Sequence, residues 1–252
     1  MHPSVSVVLP IFNEAGIAGT VATQVVRFAE SHPDYEFLLV DDGSRDGTST
    51  ILSEFLAKKR APNVRLLRYA PNRGKGQAVL FGFERARGAL VCFTDGDLAY
   101  SLDYLDQVAR ELGDCDVVIG SRTPCRASQG APNLRRRFLG IAYNRLVRLL
   151  LGLPYADTQA GLKGLRRESA ERLMPLLHST GFSFDVELLF LARKLGYRIR
   201  EMPVQAAKEH SYKTAKVKLL RDSAAMLADL WRIRVRDWLG LYHEGRTRTP
   251  KL

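Results

Sequence analysis

Cysteine is scarce, with three in 252 residues. The odd count and the lack of metal-ligand spacing argue against a structural disulfide and point to a reducing compartment. Cys92 and Cys115 sit in apolar, strand-like runs, where cysteine serves as a small core residue, and the third is Cys125. Long apolar runs are missing too. Spanning a bilayer takes roughly 18–20 apolar residues, and the most apolar long segment, Phe138 to Leu153, is interrupted by Asn144, Arg145 and Arg148. No basic region followed by an apolar core opens the chain, so no signal peptide is expected. The expectation is a cytoplasmic protein whose membrane contact, if any, is peripheral on the cytosolic face.

Acid is the third shortage. Lys+Arg number 38 against 27 Asp+Glu, a formal net charge of +11. Between Val117 and Ala156 there is no acidic residue, yet Arg122, Arg126, Arg135, Arg136, Arg137, Arg145 and Arg148 all fall there. Such a balance favours polyanionic partners: nucleic acid, anionic lipid surfaces or phosphorylated substrates. Two phosphate-binding patterns are also absent. No G-x-x-x-x-G-K-[ST] occurs, and no G-x-G-x-x-G follows the first strand.

What is present is the composition of an ordinary globular protein, 46% hydrophobic and 26% charged, long enough for one large α/β domain. The first half alternates strand and helix patterns. Strands are expected at Ser4–Pro10, Glu36–Val40, Val64–Tyr69, Ala89–Thr94 and Asp116–Gly120, with helices between them. Apolar strands separated by helices imply a parallel sheet covered on both faces. Ligands then bind beyond the carboxyl ends of the strands. The second half is more helical: Leu134–Leu151 is basic and Leu-rich, Asp185–Leu195 is another helix, and Tyr197–Val204 is strand-like. A long helical region begins near Lys213. Its Val217, Leu220, Ala224, Leu227, Trp231, Val235 and Trp238 keep a 3-or-4 spacing. That stripe is expected first to pack on the sheet, with a bilayer surface as the other fate, since many lysines and arginines accompany it.

The polar motifs fall at strand ends. Thr94-Asp95-Gly96-Asp97 places two carboxylates one residue apart, a donor set for a hard cation such as Mg²⁺ or Mn²⁺. The plainer reading is a loop with Asp97 or Asp103 as a helix cap. Asp41-Asp42-Gly43-Ser44 can accept hydrogen bonds from a base or ribose, or can be a turn capped by Ser44 or Asp46. Asn72-Arg73-Gly74-Lys75-Gly76 is a small cationic loop able to meet a phosphate.

Taken in order, VVLPIFNE, LLVDDGSRDGT, NRGKGQAV, FTDGDL, VVIGSR, DTQAGLKGLRR and FSFDVELL resemble the family-2 glycosyltransferases of the GT-A fold. Within them, the likeness is greatest to dolichol- or polyprenol-phosphate sugar synthases. The resemblance implies an α/β, mostly parallel sheet flanked by helices over residues 1–210; spacing and charge give a basic amphipathic helical region over 211–244, and the polar tail over 245–252 is expected to be disordered. The resemblance further implies that Pro10, Phe12, Glu14, Asp41, Asp42, Lys75, Gly76 and Asp95 bind a nucleotide sugar. Phe12 stands where many relatives carry Tyr. Asp95 and Asp97 would hold the metal and diphosphate, with Ala99 where several prenyl-phosphate enzymes have a third ligand, Gln. Arg122, with Arg136 or Arg137, would grip the acceptor phosphate, although Gly140 replaces a Ser often found there.

The expected reaction is an inverting hexosyl transfer from a GDP-mannose or UDP-glucose type of donor to a polyprenyl or dolichyl phosphate. An ionised phosphate needs no strong general base. A soluble or polysaccharide hydroxyl acceptor would need one, and Asp185 is the candidate, with a helix cap as its plainer role. From another class, a basic nucleic-acid or membrane-binding module would lack transfer altogether, and no nucleic acid is expected as a partner.

Overall fold

A computed structural model describes residues 3–122, 134–181, 183–206 and 219–242, without the side chains of 134–139, 141 and 219–225. Cys125, Arg126, Lys208, Lys213, Lys216, Lys218 and the tail over 245–252 lie outside the described residues, as do the side chains of Arg135, Arg136, Arg137 and Arg221.

The β-branched and leucine-rich runs form strands as expected, and Lys163–Arg166 forms one that the sequence pattern does not predict. In chain order these are β1 (Val5–Ile11), β2 (Tyr35–Asp42), β3 (Val64–Tyr69), β4 (Leu90–Phe93), β5 (Val117–Ser121), β6 (Lys163–Arg166) and β7 (Ile199–Pro203). Helices α1 (Ala15–Ser31), α2 (Thr48–Lys59), α3 (Lys75–Phe83), α4 (Tyr104–Glu111), α5 (Leu134–Leu151), α6 (Arg167–Leu173), α7 (Phe184–Lys194) and α8 (Leu219–Trp238) connect or flank them. The sheet order is β3-β2-β1-β4-β6-β5-β7. All pairings are parallel except those of β6, which runs antiparallel to both β4 and β5.

Strand β2 is buried at every position, as a strand covered on both faces must be. One core holds Val8, Leu38, Val91 and Phe93 against α3, α5, α7 and α8, and the other holds Val7, Leu39 and Cys92 against α1, α2 and α4. Chain order reverses between β1 and β4, because β1 leads outward to β2 and β3 before the chain returns to β4. A crevice opens at such a switch point. The two loops flanking it touch: a Cβ on Gly96 would sit 2.2 Å from the Pro10 carbonyl oxygen.

The C-terminal helix corrects one expectation. Leu230 and Ile233 of α8 are buried in the core with Met226 packed against it, whereas Leu227, Trp231 and Trp238 of the predicted stripe are exposed. The helix carries two apolar stripes, and the inner one is not the one its aromatics mark. Among the described residues, no helix is long and apolar enough to cross a membrane.

Candidate active site

Asp42, the last residue of β2, organises the cationic loop. Its carboxylate accepts from Asn72 Nδ2 at 2.7 Å, Arg73 N at 2.7 Å and Gly74 N at 2.9 Å. Asp41 is buried, accepts from Ser44 N at 2.9 Å and pairs with Arg68 at 3.4 Å. The facing loop after β1 interlocks with this turn. Asn13 N donates to Ser44 Oγ and Arg45 N to Asn13 Oδ1, while Glu14 N donates to Thr48 Oγ1, each at 2.9 Å. Asp46 accepts from Ala15 N and from Thr48 N, but the N-cap of α2 is Gly47 rather than Asp46 or Ser44. Phe12 remains exposed on the rim.

Gly74 lets the loop enter α3. Its φ is 95°, and a Cβ there would meet the Thr180 carbonyl oxygen at 2.6 Å, so a side chain is excluded on both conformational and steric grounds. Gly76 N donates to that same oxygen at 2.7 Å. The turn carrying Thr180 is fixed by Glu187, a fully buried carboxylate that accepts from His178 N at 3.0 Å, Ser179 N at 2.6 Å and Tyr242 Oη at 2.6 Å.

The result is a placed lysine. Lys75 Nζ lies 2.9 Å from Asp95 Oδ1 at the end of β4 and 3.4 Å from Asp185 Oδ2 at the start of α7. Asp185 in turn lies 2.6 Å from Lys163 Nζ on β6, and Lys163 is 0% exposed. Lys163 also donates to the Ala160 carbonyl at 2.8 Å. Burial works against the Lys75 charge, but Asp185 and Asp95 outweigh it and hold the ammonium protonated. Burial likewise opposes the Asp95 charge. Lys75, with Lys163 and Arg122 behind it, nevertheless keeps that carboxyl below the usual range. Lys163 differs: desolvation prevails over Asp185 and draws its ammonium down.

Across the crevice, Arg122 follows β5 and forks onto Asp157, with Nε 2.6 Å from Oδ2 and Nη2 3.0 Å from Oδ1. Burial favours the neutral guanidine, but Asp157, Tyr100 and Asp95 raise its proton affinity. Burial would raise the Asp157 carboxyl, yet Arg122 lowers it. Three cations, Lys75, Lys163 and Arg122, with their acids Asp185 and Asp157, therefore surround Asp95.

The structure thus brings Lys75, Asp95 and Asp185 together, with Asp42 one step behind through the loop it holds. Pro10 abuts the Asp95-Gly96-Asp97 turn, and Gly76 begins α3. The side chains of Arg136 and Arg137 lie outside the described residues. Asp185 does not stand open to a solvent-borne hydroxyl: it is 2% exposed and committed to two lysines. Sequence reasoning missed Lys163 and Asp157 as site residues. Asp157 had a usable mark, being the first acid after the acid-free arginine stretch.

The metal expectation can be tested against the donor set. Among the described residues, no group of three or more His, Cys, Asp or Glu side chains converges on one point. Asp97 accepts from Ala99 N at 3.2 Å, and Asp95 faces Lys75. One or two carboxylates on a tight turn do not make a closed protein cage. They suit a hard cation that takes its remaining ligands from water and diphosphate oxygens, which is how Mg²⁺ is commonly held.

The chain is 32% identical over 250 residues to the dolichyl-phosphate beta-glucosyltransferase of Dictyostelium discoideum, an alignment covering 94% of this chain and 76% of that protein. Several dolichyl-phosphate beta-glucosyltransferases match, and the chain spans from 62% to 77% of their own length. Among solved structures, glucosyl-3-phosphoglycerate synthase from Mycobacterium tuberculosis, in complex with Mn²⁺, UDP and phosphoglyceric acid, superposes with a TM-score of 0.65 at 18% identity, covering 96% of this chain and 81% of that one. A mannosyltransferase from Pyrobaculum calidifontis in complex with GDP-Man and Mn²⁺ gives 0.57 at 20% identity, covering 96% of this chain and 63% of that one. These neighbours are GT-A glycosyltransferases, and the mixed seven-stranded sheet here shares their fold. The family pattern itself, glycosyl transferase family 2, matches residues 6–174. That span runs from β1 through the Asp95 turn to α6, more than half of the chain, and the chain belongs to glycosyltransferase family 2.

Proposed function

We propose that this enzyme moves a hexose from a nucleoside diphosphate sugar to a polyprenyl or dolichyl phosphate, with inversion. The observation that carries the reading is Lys75, held protonated between Asp95 and Asp185 at the mouth of the β1/β4 crevice. A fixed cation there stabilises charge that develops on a departing diphosphate. The names of the sequence relatives favour glucose as the sugar and therefore UDP-glucose over GDP-mannose as the donor. A β product from an α-linked donor is also the outcome of one displacement.

Pro10, Phe12 and Glu14 on one loop and the Asp41–Asp42 turn on the other frame the nucleotide side of the crevice. An acceptor phosphate oxygen, already ionised near neutral pH, attacks the anomeric carbon. The new C–O bond forms as the bond to the diphosphate breaks, and the electron pair leaves on the diphosphate. No proton must be removed, which fits the burial of Asp185: in this reading Asp185 anchors Lys75 and is not a base. Arg122, set rigidly by Asp157, presents its remaining N–H donors to phosphate oxygens. Asp97, with Asp95 beside it, would hold a divalent cation, Mg²⁺ or Mn²⁺, whose charge would offset that of the leaving diphosphate.

The test is transfer of radiolabel from UDP-glucose, with GDP-mannose in parallel, to an extractable polyprenyl phosphate in the presence of Mg²⁺ or Mn²⁺. Lipid-soluble label that disappears in Asp97→Ala and Lys75→Ala is the expected result. Label that appears only on water-soluble acceptors, or unchanged turnover in Asp97→Ala, would overturn the assignment.

A further inference from the structure

Helix α8 packs against α5 and reaches α7 through side-chain contacts. Three of these contacts are Ser183 with Asp229 at 2.8 Å, Glu187 with Arg236 at 3.4 Å, and Lys194 with Asp237. Asp229, midway along α8, therefore sits at the Asp185 end of α7, the end that faces the crevice. The inner side of α8 is bonded to the domain, while its outer side is exposed among the described residues. Trp231 is 53% and Trp238 63% exposed, and Leu227 and Leu239 are exposed with them. The two indoles meet edge to face with centroids 5.7 Å apart, so they form one patch.

Beside this patch is an open cavity of about 320 Å³, lined by Leu151, Phe190, Arg193, Lys194, Arg234 and Asp237. Its lining joins Leu151 and Phe190 to three cations and one acid, Asp237, which pairs with Lys194 and with Arg234 at 3.1 Å. Arg234 joins the two features, its guanidinium 5.4 Å from the Trp238 ring. Tryptophan favours the zone where apolar chains meet polar head groups, and basic side chains around it favour anionic ones. A protein partner would be met as readily by the indoles, but it gives no account of a cationic pocket next to them.

We infer that the outer face of α8, with the Arg193–Lys194–Arg234 pocket, is a docking surface for a bilayer containing anionic phospholipid. The indoles enter the head-group zone, and the pocket takes a lipid phosphate. The inference rests on the proposed lipid acceptor for its purpose, because it would bring the crevice end of α7 to the surface where such an acceptor resides. It does not rest on it for its test.

The chain contains two tryptophans, both on this face, so their emission reports on the contact directly. The full chain is mixed with vesicles of phosphatidylcholine alone, and of phosphatidylcholine with phosphatidylglycerol, while tryptophan emission and co-sedimentation are followed. The expected results are a blue shift and sedimentation with the anionic vesicles, both weakened by salt. Trp231→Ser or Trp238→Ser should each weaken binding by about tenfold, as expected for losing one interfacial aromatic anchor. Arg193→Glu should abolish the preference for anionic vesicles. Each variant should keep wild-type transfer to a short, water-soluble prenyl phosphate. No emission change with anionic vesicles, or equal binding by the tryptophan variants, overturns the docking surface. Self-association without lipid that is lost in Trp231→Ser also overturns it, assigning the face to a second copy. Vesicle binding without transfer to any prenyl phosphate leaves the docking surface standing and removes the proposed acceptor instead.

Discussion

Replacing Lys163 with methionine separates the support of the site from the site itself. The side chain is 0% exposed, its ammonium 2.6 Å from Asp185 Oδ1 and 2.8 Å from the Ala160 carbonyl. Methionine fills most of that volume, so the change removes a charge and its donors and leaves little cavity. Breaking a buried pair costs about 3–5 kcal/mol when the surviving charge is left alone. Asp185 keeps Lys75 at 3.4 Å, and the desolvation that depresses the Lys163 ammonium is relieved. Both arguments put the loss at the low end, about 3 kcal/mol. At roughly 2–4 °C per kcal/mol for a chain of this size, Tm should fall by about 6–12 °C. Turnover should fall as well, because Lys75 is no longer drawn to a fixed point, and a displacement of about 1 Å costs on the order of 10²-fold. The informative companion is Lys163→Met with Asp185→Leu. Replacing both charges by apolar groups is often neutral for stability, so Tm should recover while transfer from the nucleotide sugar stays low. Scanning calorimetry and the radiolabel assay measure the two quantities. A single variant with wild-type Tm, or a double variant with restored turnover, refutes the view that Asp185 and Lys163 serve to place Lys75.

Gly161→Ala should strike Asp95 alone: a Cβ there would lie 1.8 Å from Asp95 Oδ2. Turnover should drop about 10²-fold with the circular dichroism spectrum unchanged, and unchanged turnover would contradict the geometry. Asp157 has its carboxyl held below the ordinary 3.8 by Arg122. In that window the unfolded chain binds a proton that the folded chain does not, so this stabilisation is present above pH 3.8 and is lost as pH falls through the folded value. Urea unfolding at stepped pH should show that loss in the wild type and a flatter acid limb in Asp157→Asn. Glu187→Gln sets an amide N–H₂ among donors, costing about 1–3 kcal/mol. Hydrogen exchange at Gly76 and Gln77, whose amides point to Thr180 O at 2.7 Å and 3.4 Å, should quicken.

The strands were legible where apolar runs ended at turn residues. Val64–Tyr69 comes out with the bounds the pattern predicts. Strand β6 was not legible. Lys-Gly-Leu-Arg has neither alternation nor β-branched residues, and it forms a strand because the gap between β4 and β5 admits one antiparallel partner. Gly164 sits at its centre because a Cβ would meet Val108 at 2.3 Å. Lys163 was hidden for the same reason, since an isolated lysine between leucine and glycine reads as surface. The Asp95 turn and the loop at Lys75 were visible as motifs, but their contact depends on tertiary placement. On α8, periodicity identified an apolar stripe and could not say which of two stripes faces inward. The burial of Leu230 and Ile233 decides it.

Basic proteins that handle phosphates are often pictured as offering open cationic pockets, and this crevice is built differently. The described cations nearest the Asp95 turn each have an acid: Lys75 has Asp95 and Asp185, Lys163 has Asp185, and Arg122 has Asp157. The pairs differ in reach. Asp185 and Asp157 are buried, whereas the Asp95 side chain is 35% exposed. On the proposed reaction, a diphosphate oxygen entering the crevice can therefore take the place of Asp95 at Lys75 while Asp185 keeps the ammonium fixed from behind. Asp95, so released, is free to turn toward the donor. Pairing beforehand holds the cation charged, ordered and shielded from water, and that is the condition under which it stabilises a leaving group without reorganising at the moment of transfer. The buried half of the network, Asp185 with Lys163, is thus what makes the exposed half exchangeable.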